Sequence, residues 1–146
     1  MGYEKAVNSY RKTSVETSDK LSLVIMCYEE AIHAIKQAKA EYQQARYASK
    51  AKHLTKAQDI IWELLSCLDR EKGETVATNL ASLYSYMLRR LMLGDRQRDL
   101  TAFDEVAGLL GELLESWKAI ASDGKVKAQL PGAYANPPVL ARGVAV

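Results

Sequence analysis

The absence of proline from residues 1–130 is the feature that most constrains how this chain can fold. Proline lacks a backbone donor and clashes with the preceding turn, so it interrupts long helices. The proline-free part is rich in alanine, leucine, glutamate, lysine and glutamine, which are all strong helix formers. The three prolines, Pro131, Pro137 and Pro138, lie close to the C-terminus. This distribution predicts an all-α fold that ends before the prolines.

Four amphipathic segments divide the proline-free part. In each segment apolar side chains recur every three or four residues, as expected for helices with one buried face. The four predicted helices span residues 18–46, 47–69, 74–93 and 99–121. The fourth has apolar spacings of 3, 4, 3, 4 and 3, which are typical of a left-handed helix bundle. That stripe consists of Phe103, Val106, Leu110, Leu113, Trp117 and Ile120.

Short connections between helices of this length favour antiparallel neighbours. The predicted architecture is therefore an antiparallel up-down four-helix bundle. A charged turn ending at Gly73 separates the second and third helices, and Gly94 is predicted to end the third in the left-handed conformation. We expect residues 1–17 to form a leader that caps the bundle, residues 18–122 to form the bundle itself and residues 123–146 to form a flexible tail.

Composition and charge exclude several classes of protein. The chain has 146 residues, of which 48% are hydrophobic, as expected for one globular domain. Residues 1–122 carry 17 basic and 17 acidic side chains, so the net charge of +2 comes from the tail and no nucleic-acid partner is expected. No apolar run reaches the roughly 20 residues of a membrane span, and no signal peptide is recognisable. We therefore expect a cytosolic protein without membrane insertion.

No group of residues predicts catalysis, a metal or a cofactor. Glycine-rich phosphate loops, nucleophile elbows and zinc-ligand spacings are missing from the sequence. Glu30 and His33 form a Glu-x-x-His motif of the type that binds two irons in ferritin-like bundles, but no second motif occurs near His53. Cys27 and Cys67 lie among apolar residues and are interpreted as small buried side chains. The chain is predicted not to be an enzyme.

An excess of apolar side chains in residues 80–93 is more informative. Leucine, tyrosine or methionine occupies nine of these fourteen positions, whereas a bundle helix needs about three in seven. Two interpretations stay open: the excess forms an exposed interaction surface, or the core is wide or covered by the leader. Arg89 and Arg90 could likewise make surface ion pairs or bind a carboxylate or phosphate. Gly108 and Gly111 indicate either close approach of a neighbouring segment or tolerated surface glycines.

Four motifs follow one another along the chain: YRKTSVET at residues 10–17, KAQDIIWEL at 56–64, LYSYMLRRL at 83–91 and EVAGLLGEL at 105–113. Their order and spacing resemble those of the flagellin-specific export chaperones, the FliS family. The resemblance extends over roughly residues 10–120. It implies an antiparallel four-helix bundle with an N-terminal cap, in agreement with the interpretation of the helices above.

The resemblance also implies a function. A member of this family is expected to bind the disordered C-terminal segment of flagellin in the cytosol, to prevent premature polymerisation and to keep flagellin competent for flagellar type III export. The alternative is another helical-bundle adaptor or secretion chaperone that binds an amphipathic helix of a different partner. A contact with the flagellar export gate and a homodimer are left open. We call the bound segment the client. The residues predicted to contact it are Val7, Tyr10, Leu23, Tyr28, Ile61, Leu64, Tyr84 and Met87.

Overall fold

The computed structural model of the chain describes residues 20–122. The predicted leader and tail, and the predicted client contacts Val7 and Tyr10, lie outside the described residues. Four helices make up almost all of the described part: α1, Lys20–Gln43; α2, Tyr47–Ser66; α3, Arg70–Gln97; and α4, Thr101–Ser122. The prediction of an all-α, four-helix fold is confirmed.

The helices form a ring in which each one packs against its neighbours in sequence. The ring is closed because α4 packs against α1, and the most extensive contact is between α1 and α2. Loops 44–46 and 98–100 lie at one end of the bundle, which we call the two-loop end. Loop 67–69 lies at the other end, together with the start of α1 and the end of α4. We call this the one-loop end.

The end of α3 differs from the sequence prediction. The helix does not stop at Gly94 but continues to Gln97, and the left-handed residue that ends it is Arg98, with φ of 57°. Gly94 is buried, and a Cβ atom added there would lie 2.5 Å from the Cβ of Ala102 on α4. Glycine is therefore required at this position because α3 and α4 approach each other closely, not because the chain turns there.

The start of α3 also differs. The helix begins at Arg70, four residues earlier than predicted, because the Asp69 side chain caps it by accepting hydrogen bonds from the backbone N–H groups of Glu71 and Lys72, at 3.1 and 3.0 Å. Glu74 then interrupts the helical path, with φ of 48° and ψ of −125°. Residues other than glycine rarely adopt this backbone conformation. The predicted turn is therefore present as a kink inside the helix.

A single core runs through the described part of the bundle. Nine residues of α1 are buried, against seven in the longer α3, because α1 packs closely against two neighbours. Cys27 is buried as predicted, whereas Cys67 is only half-buried. None of the four helices between residues 20 and 122 has the length and apolar character that crossing a membrane requires.

Candidate partner-binding surface

The predicted client contacts in the described residues all lie in the core. They belong to one continuous cluster of buried side chains contributed by α1, α2 and α3. Each has 0% of its side chain exposed, so none offers surface to a partner in this conformation. Their contact with a client stays a prediction. These residues are Leu23, Tyr28, Ile61, Leu64, Tyr84 and Met87.

Two of these residues meet across the diagonal of the ring. The hydroxyl groups of Tyr28 on α1 and Tyr84 on α3 share a buried hydrogen bond, and their ring centroids are 6.4 Å apart in an edge-to-face arrangement. Trp117 on α4 packs edge-on against Tyr28, with centroids 6.2 Å apart. Burial raises the pKa of Tyr28 to about 12 because apolar surroundings disfavour the phenolate. This aromatic cluster holds three helices together.

A different set of large apolar side chains is exposed. Trp62 and Val76 lie near the one-loop end, and the others lie near the two-loop end. An exposed tryptophan is informative, since large aromatic side chains are enriched where proteins bind partners. The exposed set consists of Tyr47 (50%), Trp62 (56%), Val76 (57%), Met92 (50%) and Leu93 (38%).

None of these residues is among the predicted client contacts. Met92 and Leu93 do belong to the apolar excess at residues 80–93, and helical spacing contained the necessary signal for Trp62. Successive residues of an α-helix point about 100° apart. Trp62 follows the buried Ile61 directly and so lies outside the stripe formed by Leu54, Ala57, Ile61 and Leu64. A large aromatic residue outside the stripe was therefore predictable as a surface residue.

The apolar excess in residues 80–93 is divided between the core and the surface. Leu80, Tyr84, Met87 and Leu91 are buried, and Leu83 and Leu88 pack against the core while partly exposed. Met92 and Leu93 are exposed. A wide core therefore accounts for most of the excess, and the last turn of the apolar run accounts for the exposed part.

The neighbouring arginines Arg89 and Arg90 have different environments. Arg90 donates to Glu105 on α4 at 2.8 Å and lies 3.7 Å from Asp99, and Tyr86 donates to the same Glu105 carboxylate. These contacts lower the pKa of Glu105, chiefly through the hydrogen bond from Tyr86 and secondly through that from Arg90. Arg90 therefore joins α3 to α4. Among residues 20–122, Arg89 has no ion pair and is exposed.

A second set of interacting side chains joins the helices at the two-loop end. Lys50 on α2 forms a 2.6 Å ion pair with Asp95 on α3, and its ammonium group lies 5.0 Å from the centre of the Tyr42 ring on α1. The Tyr42 hydroxyl donates to the Asp95 backbone carbonyl at 2.8 Å. The Tyr42 ring also packs edge-on against Phe103 on α4, at 6.1 Å. All four helices are connected through these side chains.

Two further sequence features have clear environments. The Glu30 carboxylate accepts a hydrogen bond from Lys56 at 3.1 Å, joining α1 to α2, and His33 is exposed. In the described part of the chain no three potential metal ligands lie together. A Cβ atom added at Gly108 or Gly111 would meet no described atom within 4 Å, so no described neighbour approaches either glycine closely.

Comparisons with known proteins cover the whole bundle. The family model described as "Flagellar protein FliS" matches residues 3–124. The chain is 37% identical over 119 residues to the flagellar secretion chaperone FliS of Salmonella typhimurium, covering 78% of this chain and 88% of that protein. The Vibrio cholerae protein of the same name is 32% identical, covering 79% and 88% respectively. That of Bacillus subtilis is 29% identical over 126 residues, covering 86% and 93%. The chain belongs to the FliS family.

Proposed function

We propose that this protein is a cytosolic export chaperone that binds the C-terminal segment of flagellin, prevents its premature polymerisation and keeps it competent for flagellar type III export. The observation that carries the proposal is the family match over residues 3–124, with relatives that are named flagellar secretion chaperones. A binding role, without catalysis, also suits a bundle that exposes large apolar side chains such as Trp62 and Val76.

The distribution of exposed apolar side chains supports an extended client. Trp62 and Val76 lie near one end of the bundle and Met92 near the other, along helices about 30–40 Å long. A disordered client loses conformational entropy when it binds, so it needs several separated anchors to bind tightly. A segment that contacts both groups has to run along the bundle rather than occupy one pocket.

The leader is proposed to control access to the predicted contacts in the core. Residues 1–19 join α1 at the one-loop end, where Leu21 and Leu23 are fully buried. In this proposal Val7 and Tyr10 cover apolar surface in the free chaperone, and the client displaces them. Removal of the leader would then make Leu23 and Tyr28 accessible to the client. Contacts with the export gate and with a second copy of this chain stay open.

Calorimetric titration tests the proposal directly. The C-terminal segment of flagellin from the same genome should bind the full-length protein with a Kd in the micromolar range or tighter. The same segment with its large apolar residues replaced by serine is the control and should bind far more weakly. No heat of binding at tens of micromolar would contradict the proposal.

Two variants refine the test. Trp62→Ala should weaken binding of the flagellin segment by about tenfold, as expected for loss of an aromatic anchor. Thr55→Ala, an exposed position on the same helix, is the matched control and should leave the affinity unchanged.

Deleting residues 1–12 should change both the affinity and the melting temperature, and a deletion variant with neither change would contradict the role given to the leader.

A further inference from the structure

The outer surface of α3 contains a groove that the proposed function does not use. Its volume is about 290 Å³. It is lined by Ala81, which is 4% exposed, and by polar side chains. The lining residues are Arg70, Thr78, Ala81, Ser82, Ser85 and Arg89.

This groove faces away from α4. Tyr86 and Arg90 reach Glu105 on α4, and the lining residues Ser85 and Arg89 each precede one of them by one position. One position on a helix is a rotation of about 100°. The groove and the contact with α4 therefore occupy different faces of α3, so the groove remains open beside an already satisfied ion-pair network.

Two cations in the groove are without a counterion in the described structure. Neither Arg70 nor Arg89 lies within ion-pair distance of a carboxylate of residues 20–122, including Glu71 and Glu74 on the same helix. No acidic side chain of the described residues lines the groove. Guanidinium groups bind carboxylates through two parallel hydrogen bonds, so a pair of them beside serine and threonine hydroxyls suits an anionic side chain.

We propose that this groove binds carboxylate side chains of the exported client, which rests on the proposed function and adds a polar subsite to its apolar anchors. Ala81 and Ser82 are small and let a client backbone approach closely. Two arginines distinguish this face from the exposed apolar positions. A carboxylate bound by these arginines therefore fixes the register of the client along α3, because the exposed apolar side chains do not bind a charged group.

Charge and size favour a polypeptide client as the occupant. Residues 20–122 carry 14 basic and 14 acidic side chains, so the bundle has no general attraction for polyanions such as nucleic acids. The volume is at the lower limit of small-molecule pockets, and accommodates one or two side chains. Residues 123–146 are basic and would be repelled, and residues 1–19 carry three charges of each sign. An acidic part of the client is the best match.

The test is titration of the flagellin C-terminal segment into the full-length Arg70→Glu/Arg89→Glu double variant. Its affinity should fall by at least about tenfold relative to the unaltered protein. Lys52→Glu, an exposed lysine of α2 without an ion pair in the described residues, is the matched charge control and should change the affinity less than threefold. Circular dichroism melting establishes that both variants are folded.

A second titration identifies the client groups. Replacing the acidic side chains of the flagellin segment by their amides should weaken binding to the unaltered protein and should have no further effect on the double variant. Equal affinities of the double variant and the unaltered protein would overturn the inference and leave the proposed function intact. A lower melting temperature of the double variant without client, absent in Lys52→Glu, would assign the groove to a segment of this chain and overturn it too. If the unaltered protein does not bind flagellin at all, the proposed function fails, and this inference with it.

Discussion

The two ends of the bundle are held together by different interactions. At the two-loop end, Lys50, Tyr42 and Asp95 form directional polar contacts that join α1, α2 and α3, and the Tyr42 ring packs against Phe103 on α4. At the one-loop end the ion pair between Lys118 and Glu29, which joins α4 to α1, is long, at 3.8 Å, and about half-exposed. A short ion pair and a hydrogen bond require particular distances and angles, so they restrict helix positions more closely than a long, exposed ion pair does.

This difference indicates which end can adapt to a partner. At the two-loop end these contacts restrict the relative positions of the helices. The one-loop end contains the strained Glu74, the exposed Trp62 and Val76, and the junctions with residues 1–19 and 123–146. In the proposed exchange of leader for client, the surface that changes lies at the one-loop end, away from the polar contacts of the two-loop end.

The largest expected effect comes from the core that both ends share. Tyr84→Ala removes a fully buried ring and its hydrogen bond to Tyr28, so it should lower the free energy of unfolding by about 3–5 kcal/mol. Urea denaturation followed by circular dichroism measures this change. Thr55→Ala should change stability by less than about 0.5 kcal/mol. A loss below about 1 kcal/mol for Tyr84→Ala would mean that the aromatic cluster does not hold these helices together.

Gly94→Ala tests the close contact at the two-loop end. The added methyl group would meet Ala102, so α3 and α4 must separate and the free energy of unfolding should fall by about 1–3 kcal/mol. Gly108→Ala is the matched control, because open space surrounds that position among the described residues, and it should raise stability by up to about 1 kcal/mol through helix propensity. Equal effects of the two substitutions would contradict the close approach.

Glu74→Gly tests the strain at the one-loop end. Glycine adopts positive φ without steric cost, so this substitution should raise the free energy of unfolding by about 1 kcal/mol. Glu112→Gly, at an exposed position inside α4, should lower it by about the same amount. If both substitutions destabilise the protein, the kink at Glu74 is not strained.

The smallest effect concerns the acid sensitivity of the contact between α3 and α4. Hydrogen bonds from Tyr86 and Arg90 lower the pKa of Glu105 below its ordinary value of 4.5, so the folded state favours the carboxylate. The resulting stability is present above pH 4.5 and is lost as the pH falls through the lowered pKa. The melting temperature of the unaltered protein should therefore exceed that of Glu105→Gln at neutral pH, and the difference should vanish in acid. Glu112→Gln, at an exposed position outside these contacts, is the control, and its difference in melting temperature should be similar at neutral and acid pH. A pH-independent difference for Glu105→Gln would contradict the prediction.

Periodicity predicted the fold well but was less accurate for individual side chains. The predicted stripe of the fourth helix included Leu113, which is half-buried, whereas Leu114 is buried. A strict alternation of three and four residues drifts relative to the 3.6-residue turn of a straight helix, so errors of one position are expected. The stripe specified which face of α4 turns inward, and tertiary packing selected the residues at its edges.

Sequence by itself determined the number of helices and their antiparallel order, because helix propensity and apolar spacing are local properties of the chain. Four motifs in order indicated the family. Only the tertiary structure showed that Gly94 permits a helix contact, that Tyr28 and Tyr84 are core residues and that Arg89 and Arg90 face different environments. The spacing of residues along a helix fixes their angles around its axis. It does not specify which neighbouring helix occupies each angle, and that neighbour decides whether a side chain is buried, paired or available to a partner.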